Sequence, residues 1–174
     1  MINTGSPLFN SNLSIRNMSA IFEAIRDNNT ALVINLLEND KTLLNTQDER
    51  GSTPLLLASY YGFNDIVSTL LKYDPDVNAT DKMGNTALMG VSFKGYVEIA
   101  NQLIKNGANV NHKNVTNATA LIYAVRFNQR QLVKILLNHE ADIAIKDNDG
   151  KSAIDYAIEL GYDLKTLISS QSAS

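Results

Sequence analysis

Four segments of this chain repeat one another at an interval of 33 residues. Asp48-Glu-Arg-Gly51-Ser-Thr53-Pro-Leu55 returns as Asp81-Lys-Met-Gly84-Asn-Thr86-Ala-Leu88. It returns again as Asn114-Val-Thr-Asn117-Ala-Thr119-Ala-Leu121 and as Asp147-Asn-Asp-Gly150-Lys-Ser152-Ala-Ile154. Gly62, Gly95, Asn128 and Gly161 keep the same spacing, as do the apolar pairs Leu70-Leu71, Leu103-Ile104 and Leu136-Leu137. A fixed period of this length means one supersecondary unit copied along the chain, with each copy stacked on the next.

The chemistry within one copy defines that unit. Asp48-Glu49-Arg50-Gly51 reads as a turn, because Asp folds its side chain onto the backbone and Gly supplies a positive φ. Thr53 stands at a helix N-cap, with Pro54 at the first helical position, where its missing N–H costs nothing. Leu55, Ala58 and Ser59 follow at helical spacing, and the small residues admit a second helix at close range. Gly62 ends the helix in a left-handed conformation, and Gly95, Asn128 and Gly161 supply residue types that tolerate it. A second helix runs from about residue 64 to residue 72, with Ile66, Val67, Leu70 and Leu71 on its apolar stripe. Asp74-Pro75-Asp76 stops it, and Val77-Asn78 leads into the next turn. Helices of about nine residues are marginal alone in water, so stability must come from stacking.

The ends of the array are irregular. Ser19-Ala20-Ile21 mirrors Ser152-Ala153-Ile154, and Ala24, Asn28 and Leu36-Leu37 match Ala58, Gly62 and Leu70-Leu71 with an offset of 34. One extra residue therefore lies between residues 39 and 46, and the unit lacks the Asp-x-x-Gly turn, which marks it as a cap. The expected organisation is an N-terminal extension over 1–17, poorly ordered or lying along the first repeat. The array then covers 18–169, divided into 18–47, 48–80, 81–113, 114–146 and a C-terminal cap at 147–169, with a tail at 170–174. In the last unit the second helix is expected to run only from residue 163 to about residue 168.

Composition narrows the function. The 174 residues are 44% hydrophobic and 19% charged, with a net charge of -3. No two Lys or Arg residues are adjacent, which argues against nucleic acid, whose phosphates need clustered cations. No apolar run approaches the roughly 18 residues of a membrane span. Residues 1–17 show no basic stretch followed by an apolar core, so no export signal is visible and a cytoplasmic location is the expectation. Cysteine is absent, which removes disulfides, thiol catalysis and thiolate-bound zinc. Asn-x-Ser/Thr sequons such as those at Asn78 and Asn114 read as a by-product of abundant Asn.

Those landmarks resemble the ankyrin repeat, whose pattern runs Asp-x-x-Gly-x-Thr-Pro-Leu-His-x-Ala, then Gly, then Val-x-x-Leu-Leu, then Gly-Ala-x-Val-Asn. Gly107-Ala108-Asn109-Val110-Asn111 fits the ending closely, and the likeness spans about 150 residues. It implies an all-α solenoid of five stacked helix-turn-helix units joined by β-turn loops. The His of the pattern is replaced by Leu56, Met89, Ile122 and Asp155, which implies somewhat looser loops. Asp74 and Glu140 stand where the family favours Gly, implying strain or an altered helix end. In some members the Asn of Val-Asn is hydroxylated, a place held here by Asn78 and Asn111.

The resemblance implies recognition of another protein, without cofactor, by a monomer whose concave face grips its partner. In the family's geometry the residue two after the inner helix's small residue faces that concavity. Here these are Arg26, Tyr60, Phe93, Arg126 and Glu159, with Arg50 and Met83 on the turns, and Tyr61 and Phe127 alongside. Tyr and Arg suit an interface because each joins a large contact area to a polar handle. The plainer reading is that Tyr60 and Phe93 stack between repeats and that Arg126 pairs with Glu159.

Catalysis finds little support. His112 and His139 lie in different repeats without metal-ligand spacing. Asp147-Asn148-Asp149-Gly150 looks like the start of a calcium loop, but Ile145 holds the first ligand's place and no Glu stands at the loop's end, and a repeat turn explains it fully. Thr53, Thr86, Thr119 and Ser152 are accounted for as caps rather than nucleophiles. Three functions remain: a protein-binding adaptor or inhibitor, a regulatory partner of a co-encoded enzyme, and a small enzyme with an unrecognised site.

Overall fold

The computed structural model describes residues 18–161. The expectations for 1–17, for the second helix of the last unit and for the tail fall outside them. Residues 18–26 are helical and are labelled α1. They are followed by α2 (Thr30–Asn39), a 3₁₀ turn (Lys41–Asn45), α3 (Pro54–Tyr61), α4 (Asn64–Leu71) and α5 (Ala87–Lys94). Then come α6 (Val97–Lys105), α7 (Ala120–Arg126), α8 (Arg130–Asn138) and α9 (Ala153–Glu159). Odd-numbered helices form an inner layer and even-numbered helices an outer one. Inner packs on inner (α3 on α5, α5 on α7, α7 on α9) and outer on outer (α2 on α4, α4 on α6, α6 on α8). The all-α solenoid implied by the sequence is the observed architecture.

Four inner helices, α3, α5, α7 and α9, start in the same way. The side-chain oxygens of Thr53, Thr86, Thr119 and Ser152 accept the backbone N–H groups of Leu56, Met89, Ile122 and Asp155, each at 3.3 Å. In the last repeat Asp155 returns the bond, its carboxylate accepting Ser152 N–H at 2.8 Å to complete a capping box. That bonding holds the Asp155 carboxyl below its ordinary value. Ser19 differs from Ser152, which it mirrors in sequence. It lies within α1 and donates to Glu23 Oε1 at 3.1 Å.

The turns are just as regular. Asp48, Asp81, Asn114 and Asp147 each accept two backbone N–H groups, two and four residues on, at 2.8–3.1 Å. Consecutive turns are linked by Lys82 N–H to Arg50 O, Val115 N–H to Met83 O and Asn148 N–H to Thr116 O, at 2.9–3.1 Å. Where the family's His would stand, Leu56, Met89 and Ile122 are buried, so these bonds and apolar contacts hold the loop.

The core is a row of large side chains running through the stack, including Ile25, Leu37, Leu55, Ile66, Leu70, Leu88, Ile99, Leu103 and Leu121. An outer helix such as α4 buries three aliphatic side chains, Ile66, Val67 and Leu70, each contributing about 1.5–3 kcal/mol. Ordering its eight residues costs about 1–2 kcal/mol apiece, so the pair depends on faces shared with its neighbours. Ala58, Ser59, Val91, Ser92, Ala124 and Val125 have no exposed surface and let the inner helices approach one another. In the first unit the extra residue falls at a 3₁₀ turn that buries Leu43 and Leu44, a feature the repeat pattern does not carry.

Gly62 reverses the chain at φ 78°, and Asn28, Gly95, Asn128 and Gly161 do so at equivalent places. At Gly62 a Cβ would also lie 2.7 Å from the Tyr96 ring. The expected strain at the ends of the outer helices is present: Asp74 and Glu140 adopt φ 58° and 61°, matching Gly107 at 88°. In the last unit Tyr156 O–H donates to Asp147 Oδ2 at 2.6 Å, fastening α9 to its turn. That bond, reinforced by burial, pushes the phenol up to about 12.

Four stability measurements follow from this geometry. Gly107→Ala bears the left-handed backbone alone and should cost about 1–2 kcal/mol in urea unfolding. Gly62→Ala should cost more, because the Tyr96 ring must also move. Glu140→Gly relieves a left-handed side chain and should stabilise by about 0.5–1 kcal/mol, its own entropy cost deducted. The folded chain holds the Tyr156 proton from its ordinary value of 10 up to about 12, whereas the unfolded chain releases it. Stability should therefore fall as pH rises through that window, and fall less in Tyr156→Phe, read by denaturant midpoints at each pH.

Candidate functional site

The inner helices and the turn tips enclose a groove of about 900 Å³ in the N-terminal half of the stack. Arg50, Tyr60, Tyr61 and Phe93 line it, together with Arg26 from the first unit. Met83 and Arg126 lie outside it. Met83 sits at the next turn tip, 54% exposed. Arg126 lies further along the inner layer, its guanidinium 4.9 Å from the centre of the Tyr156 ring. The structure thus brings four of the six predicted contact residues together and leaves two apart.

Helical geometry places these side chains. Tyr60, Phe93 and Arg126 stand near the C-terminal ends of α3, α5 and α7, one per repeat. The plainer reading of the aromatics holds in part. Phe93 packs on the next repeat, its ring centre 4.3 Å from that of Phe127 at 80°. Tyr60 stays 46% exposed. The Lys94 ammonium links the two residues, 4.5 Å from the Tyr60 ring centre and 5.4 Å from that of Phe93. Tyr61 stacks on Phe63 at 5.5 Å and meets Tyr60 edge-on at 6.1 Å.

The suggested Arg126–Glu159 pair does not form. Glu159 instead takes Lys151, Nζ to Oε1 at 2.6 Å, which holds the Lys151 ammonium above its ordinary value. Arg126 finds the ring face of Tyr156, three residues before Glu159, and makes a cation–π contact there.

Two groove residues and one neighbour escape the sequence reading. Lys94, the neighbour, lies against the Tyr60 and Phe93 rings, and Tyr123 lines the groove. The Tyr123 hydroxyl accepts from Asn114 Nδ2 at 3.1 Å, and Asn114 Nδ2 also donates to Asn85 Oδ1 at 2.8 Å, so the groove floor is tied to two turns. Gly90 is the third. It belongs to a row one helical turn before the Tyr60 row, and at 33-residue spacing that row reads Leu57, Gly90, Tyr123, Tyr156. Only Gly90 lacks a side chain, which leaves a dent between its neighbours. A helix-interior glycine costs about 0.5–1 kcal/mol relative to alanine. Neither backbone conformation nor crowding explains it, because its φ is not positive and an added Cβ would meet only Tyr60 Cδ2 at 3.9 Å.

The histidines have local partners. His112 Nε2 lies 3.1 Å from Gly84 O, and His139 Nδ1 lies 2.9 Å from Ile135 O. The Asp147 carboxylate is taken up by Asp149 N–H, Lys151 N–H and the Tyr156 hydroxyl, in keeping with a repeat turn. Asn78 and Asn111 each bridge to the following repeat. Asn78 accepts Asn109 N–H and donates to Gly107 O, and Asn111 accepts Asp142 N–H and donates to Glu140 O. Among the described residues no three His, Cys, Asp or Glu side chains gather as a metal site. None of the described helices is long and apolar enough to cross a membrane.

Comparison with known proteins agrees with this architecture. A stretch of 61 residues is 43% identical to the serine/threonine-protein kinase VIK of Arabidopsis thaliana, covering 35% of this chain and 14% of the kinase. Another of 57 residues is 44% identical to protein fem-1 homolog C of Xenopus laevis, covering 30% of this chain and 9% of that protein. The chain therefore matches only a small part of the length of either relative, whose activities remain their own. A family model described as ankyrin repeats (3 copies) matches residues 21–114 and 88–173. Such repeats generally mediate protein–protein interaction and are typically non-enzymatic. Matched over most of its length by that model, the chain belongs to the ankyrin repeat family.

Proposed function

We propose that this chain acts as an adaptor or inhibitor that binds another protein along the groove of the inner layer and performs no chemistry itself. The observation that carries this is the exposed Tyr60, set in a groove of about 900 Å³ beside Lys94 and Phe93. A solvated aromatic next to a cation and a void offers contact area, a polar handle and room for a partner's side chain. Arg50 and Tyr61 extend the contact at one side. Met83 and Arg126 extend it only if the partner reaches beyond the groove.

A second reading, a module that regulates an enzyme, draws support from the 43% identity to a stretch of a protein kinase. Co-purification with an enzyme whose turnover changes on binding would favour it over a passive adaptor.

The experiment compares partners recovered from the chain's own cells by the tagged wild type and by the Tyr60→Ala, Phe93→Ala double variant. Each truncation should cost about 1–3 kcal/mol of binding to the recovered partner. The melting temperature should barely move for Tyr60→Ala and should drop further for Phe93→Ala, which also loses Phe127. A partner retained at full affinity by the double variant would overturn the groove reading.

A further inference from the structure

We propose that the dent above Gly90 is a socket for one large apolar side chain, carried on an extended protein segment with acidic residues beside it. This rests on the groove reading above and adds the chemistry of what the groove takes.

Three observations converge. First, Gly90 weakens α5 without a conformational reason, while the same place in the preceding repeat holds Leu57 and in the following ones Tyr123 and Tyr156. The missing side chain is replaceable locally, so a void there is a feature of the surface and not a requirement of the fold. Second, Leu57, Tyr60, Phe93 and Tyr123 line the same groove as Gly90 and bring aliphatic and ring carbon to it, beside polar groups of the turns. A large apolar side chain entering there would bury carbon against these residues, which favours it by transfer free energy.

Third, three cations are placed to meet a partner. Lys94 sits against the Tyr60 and Phe93 rings, and Arg26 and Arg50 line the same groove. Among the described residues none of the three has a carboxylate within ion-pair distance. The acids of the groove are Asp48, Glu49 and Asp81. Asp48 accepts two backbone N–H groups, while Asp81 accepts two and the Asn85 amide as well, so both are engaged within their turns. All three acids belong to the turns, which places the partner's acids nearer Lys94 than the turn tips.

Selection of phage-displayed random dodecapeptides on the full chain tests this. The expected winners share one Leu, Ile, Met or Phe flanked by Asp or Glu, and bind less tightly as salt rises. Gly90→Leu, which restores the side chain of the preceding repeat, should weaken the winning peptide about tenfold or more while the melting temperature holds or rises. Gly90→Ala adds only a methyl group, and should raise stability with little loss of binding. Lys94→Gln should weaken binding severalfold, and Lys134→Gln on the outer helix α8 should not.

Undiminished binding by Gly90→Leu overturns the socket, as does failure to enrich any peptide. Winners without acidic residues, or a single-stranded oligonucleotide that competes with them, overturn the stated chemistry. If Gly90→Leu keeps the cellular partner while the Tyr60→Ala, Phe93→Ala variant loses it, the socket falls and the groove reading survives. If both variants keep it, both readings fall.

Discussion

Everything in this molecule depends on apolar faces shared between consecutive helix pairs. An inner and an outer helix of seven to ten residues cannot close a core by themselves. Stacked, they bury Leu55, Leu88 and Leu121, one per repeat, in a core that continues through the array. Stability is then a sum of neighbouring interfaces rather than the property of a centre. The inner face of such a stack is left over by the packing, and it is where exposed aromatics can be carried without disturbing the core.

Local chemistry was the most legible part of the chain. Thr53, Thr86, Thr119 and Ser152 cap helices because capping needs only a hydroxyl and three residues of sequence. Asp74 and Glu140 were legible as strained, since a left-handed place is set by the period and not by its occupant. The groove was only partly legible. Tyr60 and Phe93 stood out as one row of the inner face, yet a helix presents two rows there, one turn apart. Gly90 lies on the second row and announces itself by an absence, which residue-type patterns do not register. Arg126 meets the Tyr156 ring and not Glu159, a pairing hard to read in advance because that ring lies 30 residues away and its angle depends on the stacking.

Interaction function follows from the same economy. Turn residues and inner helix ends vary between repeats while caps, reversals and core positions do not: Tyr60, Phe93, Arg126 and Glu159 share one place and no chemistry. The frame tolerates this because those side chains lie outside the buried core, even where Phe93 packs on Phe127. A recognition surface can thus be written onto an otherwise uniform scaffold, one or two residues per repeat.

The links between turns bear on mechanics. Each tip is joined to the next by one backbone hydrogen bond and, in places, side-chain bonds such as Asn114 Nδ2 to Asn85 Oδ1, whereas the helices behind them meet along whole packed faces. The stiffness of the stack is therefore lopsided, with a compliant edge at the tips and a rigid spine at the helices. Strain imposed by a bulky guest spreads first into the tips, so the cleft widens like the fingers of a hand while the palm keeps its shape.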